Sequence, residues 1–335
     1  MTSKSSAWSN RPFLLSPAGK DYLWGGSRLR DDYSKDLDMS PLAESWECST
    51  HPDGLSVVAS GELKGMTLRE ALRIHPEYLG KYRNPDGDLP VLVKLIDARR
   101  DLSVQVHPDD GYAGRNEGGA RGKTEMWYVL DAARGARLVC GLHHSVDKDA
   151  FRASLADGTV GKYLRRVDVK KGDVFCIVPG QVHAVGSGVL LAEVQENSNI
   201  TYRLYDYGRL DKNGKPRELH LDKALDVVNL KAGAEPRQPM RVLQYARGCA
   251  SELLFRCKYF QVERQLINTE RVRDMADVPI QESSFQILLC IEGCGVLLTA
   301  CGDAIHYFRG DCMFVPAGSV PVKLHGKAEF LRISC

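Results

Sequence analysis

Gln105 and His107 stand two residues apart in the apolar run Leu102-Ser103-Val104-Gln105-Val106-His107-Pro108, and Glu125 and His183 follow in Gly122-Lys123-Thr124-Glu125 and Gly180-Gln181-Val182-His183. Side chains of an extended strand alternate between faces, so Gln105 and His107 point one way while Val104 and Val106 point the other. Two imidazoles, a carboxylate and an amide oxygen gathered from facing strands make a mixed nitrogen and oxygen site, the kind that suits zinc or another divalent first-row ion. Each residue alone says little, since a His at a strand end is ordinarily hydrogen-bonded structure and a Gln in a strand is unremarkable in chemistry. Their joint order says more.

That order, a His-containing doublet, a Glu on the next strand, then Gly172-Asp173 leading to Gly180 and His183, is the two-part arrangement of a cupin barrel. The elements that would have to position it read as follows. Leu63 to Tyr82 carries the strongest helical pattern, with Thr67 as N-cap, Glu70 three residues on, and Leu68, Leu72 and Leu79 on one stripe. Asn84-Pro85-Asp86-Gly87-Asp88 ends it as a turn cluster. Short apolar and β-branched runs then predict strands at 91–97, 102–107, 125–131, 136–141, 173–178 and 189–195. Helices are expected at 147–156 and 218–227, the second after a polar connection from Arg209 to Arg217. The class is mainly β, with two cupin (jelly-roll) barrels and a few short helices.

A second set of strands is expected from Phe255 onward, after a Pro-containing linker at Lys231 to Pro239. It repeats the punctuation of the first. Gly172-Asp173-Val174-Phe175-Cys176-Ile177-Val178-Pro179-Gly180-Gln181-Val182-His183 aligns without gaps to Gly310-Asp311-Cys312-Met313-Phe314-Val315-Pro316-Ala317-Gly318-Ser319-Val320-Pro321, which puts Pro321 at the His183 position. Glu125-Met126-Trp127 likewise aligns to Gln286-Ile287-Leu288, a neutral amide replacing the carboxylate. The expected division is a catalytic, metal-binding domain at 1–235 and a metal-free, structural cupin-like domain at 236–335.

Composition narrows the partners. The 335 residues are 43% hydrophobic and 26% charged with a formal net charge of +2, so the chain buries a large core and lacks the basic stripe of a nucleic-acid binder. The polar N-terminus, Met1 to Trp8, has no apolar signal-peptide core, and no stretch is long and apolar enough for a membrane span, which points to a cytoplasmic protein without a membrane partner. Ten cysteines without a C-x-x-C pair read as free thiols of a reducing compartment.

Several longer stretches resemble one family. Pro90-Val91-Leu92-Val93-Lys94-Leu95-Ile96-Asp97-Ala98, Leu102 to Asp110, Gly122-Lys123-Thr124-Glu125 and Thr201-Tyr202-Arg203-Leu204-Tyr205-Asp206-Tyr207 are similar to the short bacterial type I mannose-6-phosphate isomerases. So are Trp24-Gly25-Gly26, Glu44-Ser45-Trp46-Glu47 and His51-Pro52-Asp53-Gly54, and the similarity runs over roughly residues 15–335. The resemblance implies a zinc-dependent aldose–ketose isomerase, one Zn2+ per chain, interconverting mannose 6-phosphate and fructose 6-phosphate through a cis-enediol. It implies zinc on Gln105, His107, Glu125 and His183, Arg203 as the catalytic arginine, and Lys123 in the active site.

The residues agree on separate grounds. Moving a proton between C1 and C2 needs a base beside those carbons and positive charge over their oxygens. Lys123 shares a strand face with Glu125, and Glu193 shares one with Leu191 and Gln195, so Glu193 and Lys123 both stand as candidates for the base. Many relatives have Asp where this chain has Asn199, which puts in doubt any role for a carboxylate there. For the substrate's phosphate, Ser103 faces the same way as Gln105, and Arg209 lies six residues after Arg203, where longer relatives carry a phosphate-binding Lys; Lys94 is a further candidate. The plainer alternatives are a solvated loop charge at Arg209 and a structural ion pair at Lys94. Two other functions compete: a cupin oxygenase with iron on His107, Glu125 and His183, and a non-catalytic sugar-phosphate sensor. Gln105, Lys123 and Arg203 argue against both. The expected oligomeric state is a monomer or weak homo-oligomer.

Overall fold

The computed structural model describes residues 10–335 apart from 212, 240 and 273, and Met1 to Trp8, on which the reading of no signal peptide rests, lie outside them. The chain is mainly β with a few short helices. No helix among the described residues is long and apolar enough to cross a membrane. All ten cysteines are free.

Strands form where the apolar runs predict them, at Val91–Ala98, Val104–Val106, Glu125–Ala132, Arg137–Leu142, Val174–Ile177 and Val189–Glu196. The helix expected at 147–156 is Lys148–Ala156, with Asp147 capping the Ala150 amide. Two expectations change. The long helix over 63–82 is only Leu68–Ile74, opened by the Thr67 and Glu70 capping box and followed by a 3-10 segment, Pro76–Tyr82, that bends at Gly80. Pro76 removes the amide a continuing helix needs, so the apolar stripe alone overstated its length. The C-terminal strands begin before Phe255, with Gln244–Ala246 and Cys249–Arg256.

Two sheets of the same order carry the fold. One runs Val174–Ile177, Glu125–Ala132, Val189–Glu196, Val91–Ala98, Glu44–Cys48, Ala18–Lys20. Within the larger C-terminal sheet the sequence Cys312–Val315, Gln286–Thr299, Val322–Ser334, Gln261–Asn268, Cys249–Arg256, Gln244–Ala246 repeats it, strand for strand and antiparallel throughout. Register agrees too: Glu125 stands opposite Ile177 as Gln286 stands opposite Val315. The amides of Val129 and Cys290 donate to the carbonyls of Asp173 and Asp311, at 2.9 Å in both places.

The chain's first strand crosses between the two. Phe13–Ser16 pairs with Cys312–Val315, and Phe13 stacks on Phe314, which stacks on Phe285. One buried cluster therefore joins Phe13, Phe285 and Phe314 to Val93, Tyr128 and Val194 of the first sheet. At ~25 cal/mol per Å2 of apolar surface, a continuous core of this kind holds the two sheets as a single packed body. Facing the first sheet on its other side is a five-stranded one, ordered Tyr202–Tyr205, Val104–Val106, His183–Val185, Arg137–Leu142, Leu164–Asp168. The polar residues singled out above lie between these two sheets.

Candidate metal centre and adjoining cleft

Register places the side chains in two facing rows. Across the five-stranded sheet Arg203 stands opposite Gln105, and Gln105 opposite His183. Across the first sheet Lys94, Glu193 and Trp127 are neighbours, with Glu125 one alternation along. His107 follows the strand Val104–Val106 on the Gln105 face, while Val104 and Val106 are fully buried in the apolar layer behind.

His107, Glu125 and His183 each offer a ligand atom, and these atoms lie within 4.8 Å of one another, all three residues being buried. His107 Nε2 is 2.7 Å from Glu125 Oε1, and His183 Nε2 is 3.2 Å from the Gln105 amide nitrogen. His183 Nδ1 lies 2.8 Å from the Gln181 carbonyl, which can only accept, so Nδ1 carries the proton and the Nε2 lone pair faces the cluster. Turning the Gln105 amide, whose oxygen and nitrogen are interchangeable by assignment, puts its oxygen there as well. His107 Nε2 and Glu125 Oε1 face each other fully buried, Lys123 Nζ lies 2.9 Å from the same oxygen, and His107 Nδ1 is buried without a hydrogen-bond partner. Two imidazoles and a carboxylate buried together at one point are costly unless something binds them, and the donor set is what a divalent first-row cation takes.

Electrostatics keeps the ligand atoms free of protons. Burial, helped by the Lys123 charge, pushes the His107 pKa down to about 3. Burial lowers that of His183 as well. For Glu125, burial works against ionisation, but Lys123 at 2.9 Å and the two imidazoles hold it well below the usual carboxylate range. Glu193 is pushed the other way by burial and the charge of Glu125, with Lys94 opposing. One indole, Trp127 Nε1, donates to both carboxylates, 3.0 Å to Glu125 and 2.9 Å to Glu193, fixing their separation.

Beside the cluster opens a cleft of about 240 Å3. Ser103, Gln105, Lys94, Lys123, Glu193 and Arg203 all line it, which brings together most of the residues singled out in the sequence. Lys94 lines the cleft and forms a buried ion pair with Glu193 at 3.1 Å, standing over the Trp46 ring. Burial opposes its charge, yet Glu193 and Glu44 hold its pKa above the ordinary value. Arg203 donates to Ser103 Oγ at 3.2 Å and to the Glu218 carbonyl at 2.8 Å. Asn199 lines the cleft too, with its amide bonded to the Asp53 carboxylate.

Arg209, expected at the substrate's phosphate, is not among the lining residues. Tyr207 and Gly208 both have positive φ, at 57° and 65°, and the Arg209 amide returns to the Asp206 carbonyl at 3.1 Å. This tight turn carries Arg209 away from the cleft, onto Asp206, the Asp101 carbonyl and the Tyr207 ring. Arg217 lines the cleft in its stead, with Tyr22, Trp24, Glu44 and Thr201. Two arginines bracketing an Asn-Gly turn offered a signal for Arg217, because such a hairpin returns its second arm beside the first. Tyr22 and Glu44 come from far in sequence and carried none.

The type I phosphomannose isomerase catalytic-domain model matches residues 13–128, and the mannose-6-phosphate isomerase cupin-domain model matches 252–335. The mannose-6-phosphate isomerase ManA of Bacillus subtilis is 36% identical over 324 residues, spanning 96% of this chain and 98% of that protein. The chain belongs to the type I mannose-6-phosphate isomerase family. It is therefore an isomerase by descent. The mannose-6-phosphate isomerase of Streptococcus mutans is 33% identical over 91% of this chain and 92% of that one. The crystal structure of the Bacillus subtilis mannose-6-phosphate isomerase superposes with a TM-score of 0.88 at 35% identity, covering 97% of this chain and 99% of that one. Those relatives span the stretch 129–251 that the two family models leave out, where His183, Glu193, Arg203 and Arg217 lie.

Proposed function

We propose that this chain interconverts mannose 6-phosphate and fructose 6-phosphate, with one zinc ion held by Gln105, His107, Glu125 and His183. The carrying observation is the convergence of three buried, deprotonated ligands beside a cleft whose lining holds four cations, Lys94, Lys123, Arg203 and Arg217, against two carboxylates, Glu44 and Glu193. Positive excess in a small, partly closed cleft suits a phosphate dianion. The common order of the two large sheets supports a reading as two jelly-roll units, the first catalytic and the second without metal.

Bound at these ligands, a divalent cation supplies Lewis-acid polarisation of the sugar's carbonyl and hydroxyl oxygens. The chain's own residues do the rest. Glu193, whose proton affinity is raised by burial and by Glu125, takes the proton at C2 or C1 and returns it to the other carbon through a cis-enediol, while the hydroxyl proton passes between O2 and O1. Lys123, 2.9 Å from Glu125 and lining the same cleft, is the second candidate for the proton transfer. Arg203, free of any carboxylate in its two side-chain hydrogen bonds, is available to negative charge that develops on the enediolate. Ser103 and Arg217 take the phosphate end.

A coupled assay of fructose 6-phosphate formation from mannose 6-phosphate, before and after chelation and zinc repletion, tests this reading. Activity lost on chelation and restored by zinc is expected. No turnover in zinc-replete protein would leave a sugar-phosphate sensor. Restoration by iron alone, with oxygen consumption, would move the site to oxygenase chemistry.

A further inference from the structure

We propose that Asp206 is a positioning residue that sets the phosphate end of the cleft by clamping Arg217 into it, with Arg209 as the brace on the far side. The inference rests on the isomerase reading for its substrate, though not for its geometry. Asp206 is buried, 5% exposed, and outside the cleft lining. Arg217 approaches it side-on, Nε donating to Oδ2 at 2.8 Å and Nη2 to Oδ1 at 2.5 Å. A guanidinium has five N–H donors in a rigid fork, so this pairing leaves Nη1 and one N–H of Nη2 unspent. Arg217 lines the cleft, so those donors are the ones a bound anion can meet.

Arg209 completes the clamp. Its Nη2 also donates to Asp206 Oδ1, its Nε to the Asp206 carbonyl at 3.2 Å, and its Nη1 to the Asp101 carbonyl, which anchors Asp206 to the loop before the Ser103 strand. Arg209 and Arg217 bracket a hairpin closed by the Leu210–Pro216 bridge and by the Asp211 amide on the Lys215 carbonyl. One carboxylate thus receives both ends of the hairpin. The turn that folds Arg209 back holds Tyr207, a bulky residue, at φ 57°. Such backbone is costly for a side chain of this size and persists only where its surroundings impose it; here the turn brings the brace onto Asp206.

Two cations, Arg203 and Arg217, lie at this end, and burial together with the Arg217 charge lowers the Arg203 pKa. Asp206 sits behind Arg217 and outside the lining, so the cleft itself keeps an excess of positive charge. Burial raises its proton affinity, but the hydrogen bonds of Arg217 and Arg209 outweigh that and keep it ionised.

Asp206→Asn keeps the shape and removes the charge. In zinc-replete full-length protein it should raise KM for mannose 6-phosphate about tenfold or more while kcat falls less than about threefold, the pattern of lost ground-state binding. The inhibition constant of inorganic phosphate should rise by a similar factor. A double-mutant cycle with Arg217→Ala should be strongly non-additive, Asp206→Asn adding little once Arg217 is gone. Arg209→Ala, at the outer side of the network, should raise KM by about two- to fivefold and serves if Asp206→Asn does not fold. Unchanged KM and phosphate inhibition in either folded variant, or additive losses in the cycle, would overturn the clamp. Calorimetric binding of inorganic phosphate to wild type and variants separates the two readings. Without isomerase activity the reaction is wrong, but weaker phosphate binding in Asp206→Asn still upholds the clamp, and equal binding refutes it.

Discussion

The two large sheets share order, register and much of their backbone hydrogen bonding, and almost none of their polar chemistry. Where the first has Glu125 and Trp127 along one strand face and Lys123 just before it, the C-terminal sheet has Gln286 and Leu288, with Ser284 before them. Gln286 is satisfied at both ends, its nitrogen on the Pro279 carbonyl and its oxygen 3.5 Å from Arg332, so no acceptor is left over. The neighbouring strands are more telling. Lys94 stands opposite Glu193 in the first sheet, and Glu263 opposite Arg332 at the matching place in the other, an ion pair with its signs exchanged. Either sign holds two strands together, whereas only the first arrangement leaves a carboxylate beside the metal ligands. The fold asks for complementary neighbours; the chemistry asks for particular ones.

Removing a ligand cuts deepest into that contrast. His183→Ala should lower bound metal well below one per chain and abolish activity with it, and the C-terminal sheet, with Pro321 in the aligned place, is expected to hold none to compensate. Elemental analysis checks this, and two tightly bound metals in wild type would break the comparison outright.

Next come the residues that have no catalytic counterpart in the C-terminal sheet. Glu193→Gln should lower kcat by about 10²–10⁴-fold with metal retained, if the carboxylate carries the proton. Arg203→Ala should lower kcat by about 10²–10³-fold with a modest change in KM, and Arg203→Lys should recover only part. Steady-state kinetics at verified zinc content decides both, and a steep rise in KM with kcat preserved would assign Arg203 to the phosphate.

The exchanged ion pairs allow a direct test of stability. Lys94→Met strands the buried Glu193 and should cost about 3–5 kcal/mol, whereas Arg332→Met, in a pair whose side chains are 14% and 17% exposed against 4% and 6%, should cost less. Denaturant melts of the two variants measure the difference. Equal losses would mean that the first pair is no more deeply committed than the second.

The smallest effect concerns Glu196, which accepts from the Thr124 amide at 2.9 Å. Burial raises its pKa from 4.5 to about 7. The folded state then holds a proton that the unfolded chain releases, so this contribution is full below pH 4.5 and is lost as pH rises through about 7. Glu196→Gln keeps the acceptor and removes the titration. Thermal melts between those two pH values should show a flatter profile for the variant, and parallel profiles would refute the assignment.

Much of the site was legible along the chain because strand alternation is local. Gln105 and His107 flank Val106, and any extended backbone puts them on one face; Lys123 and Glu125 follow the same rule. The internal repeat was legible too, since Gly172-Asp173 and Gly310-Asp311 open turns that recur at fixed distance from the strands they precede. The strand boundaries and the Thr67 cap rest on equally short-range causes.

Other features were decided only when distant segments met. Leu63 to Tyr82 looked like one helix until Pro76 divided it, and Phe13–Ser16 gave no hint that its partner would be Cys312–Val315. Glu44 and Tyr22 reached the cleft through strand and loop placement that no local period encodes. The choice between Arg209 and Arg217 turned on two residues of positive φ, which swing one guanidinium behind Asp206 and leave the other in front. Sequence alone determined which side chains share a strand face and therefore that a metal site was on offer. Tertiary structure decided which charges face the substrate, because that depends on the direction of a turn and on the low-dielectric company each charge keeps.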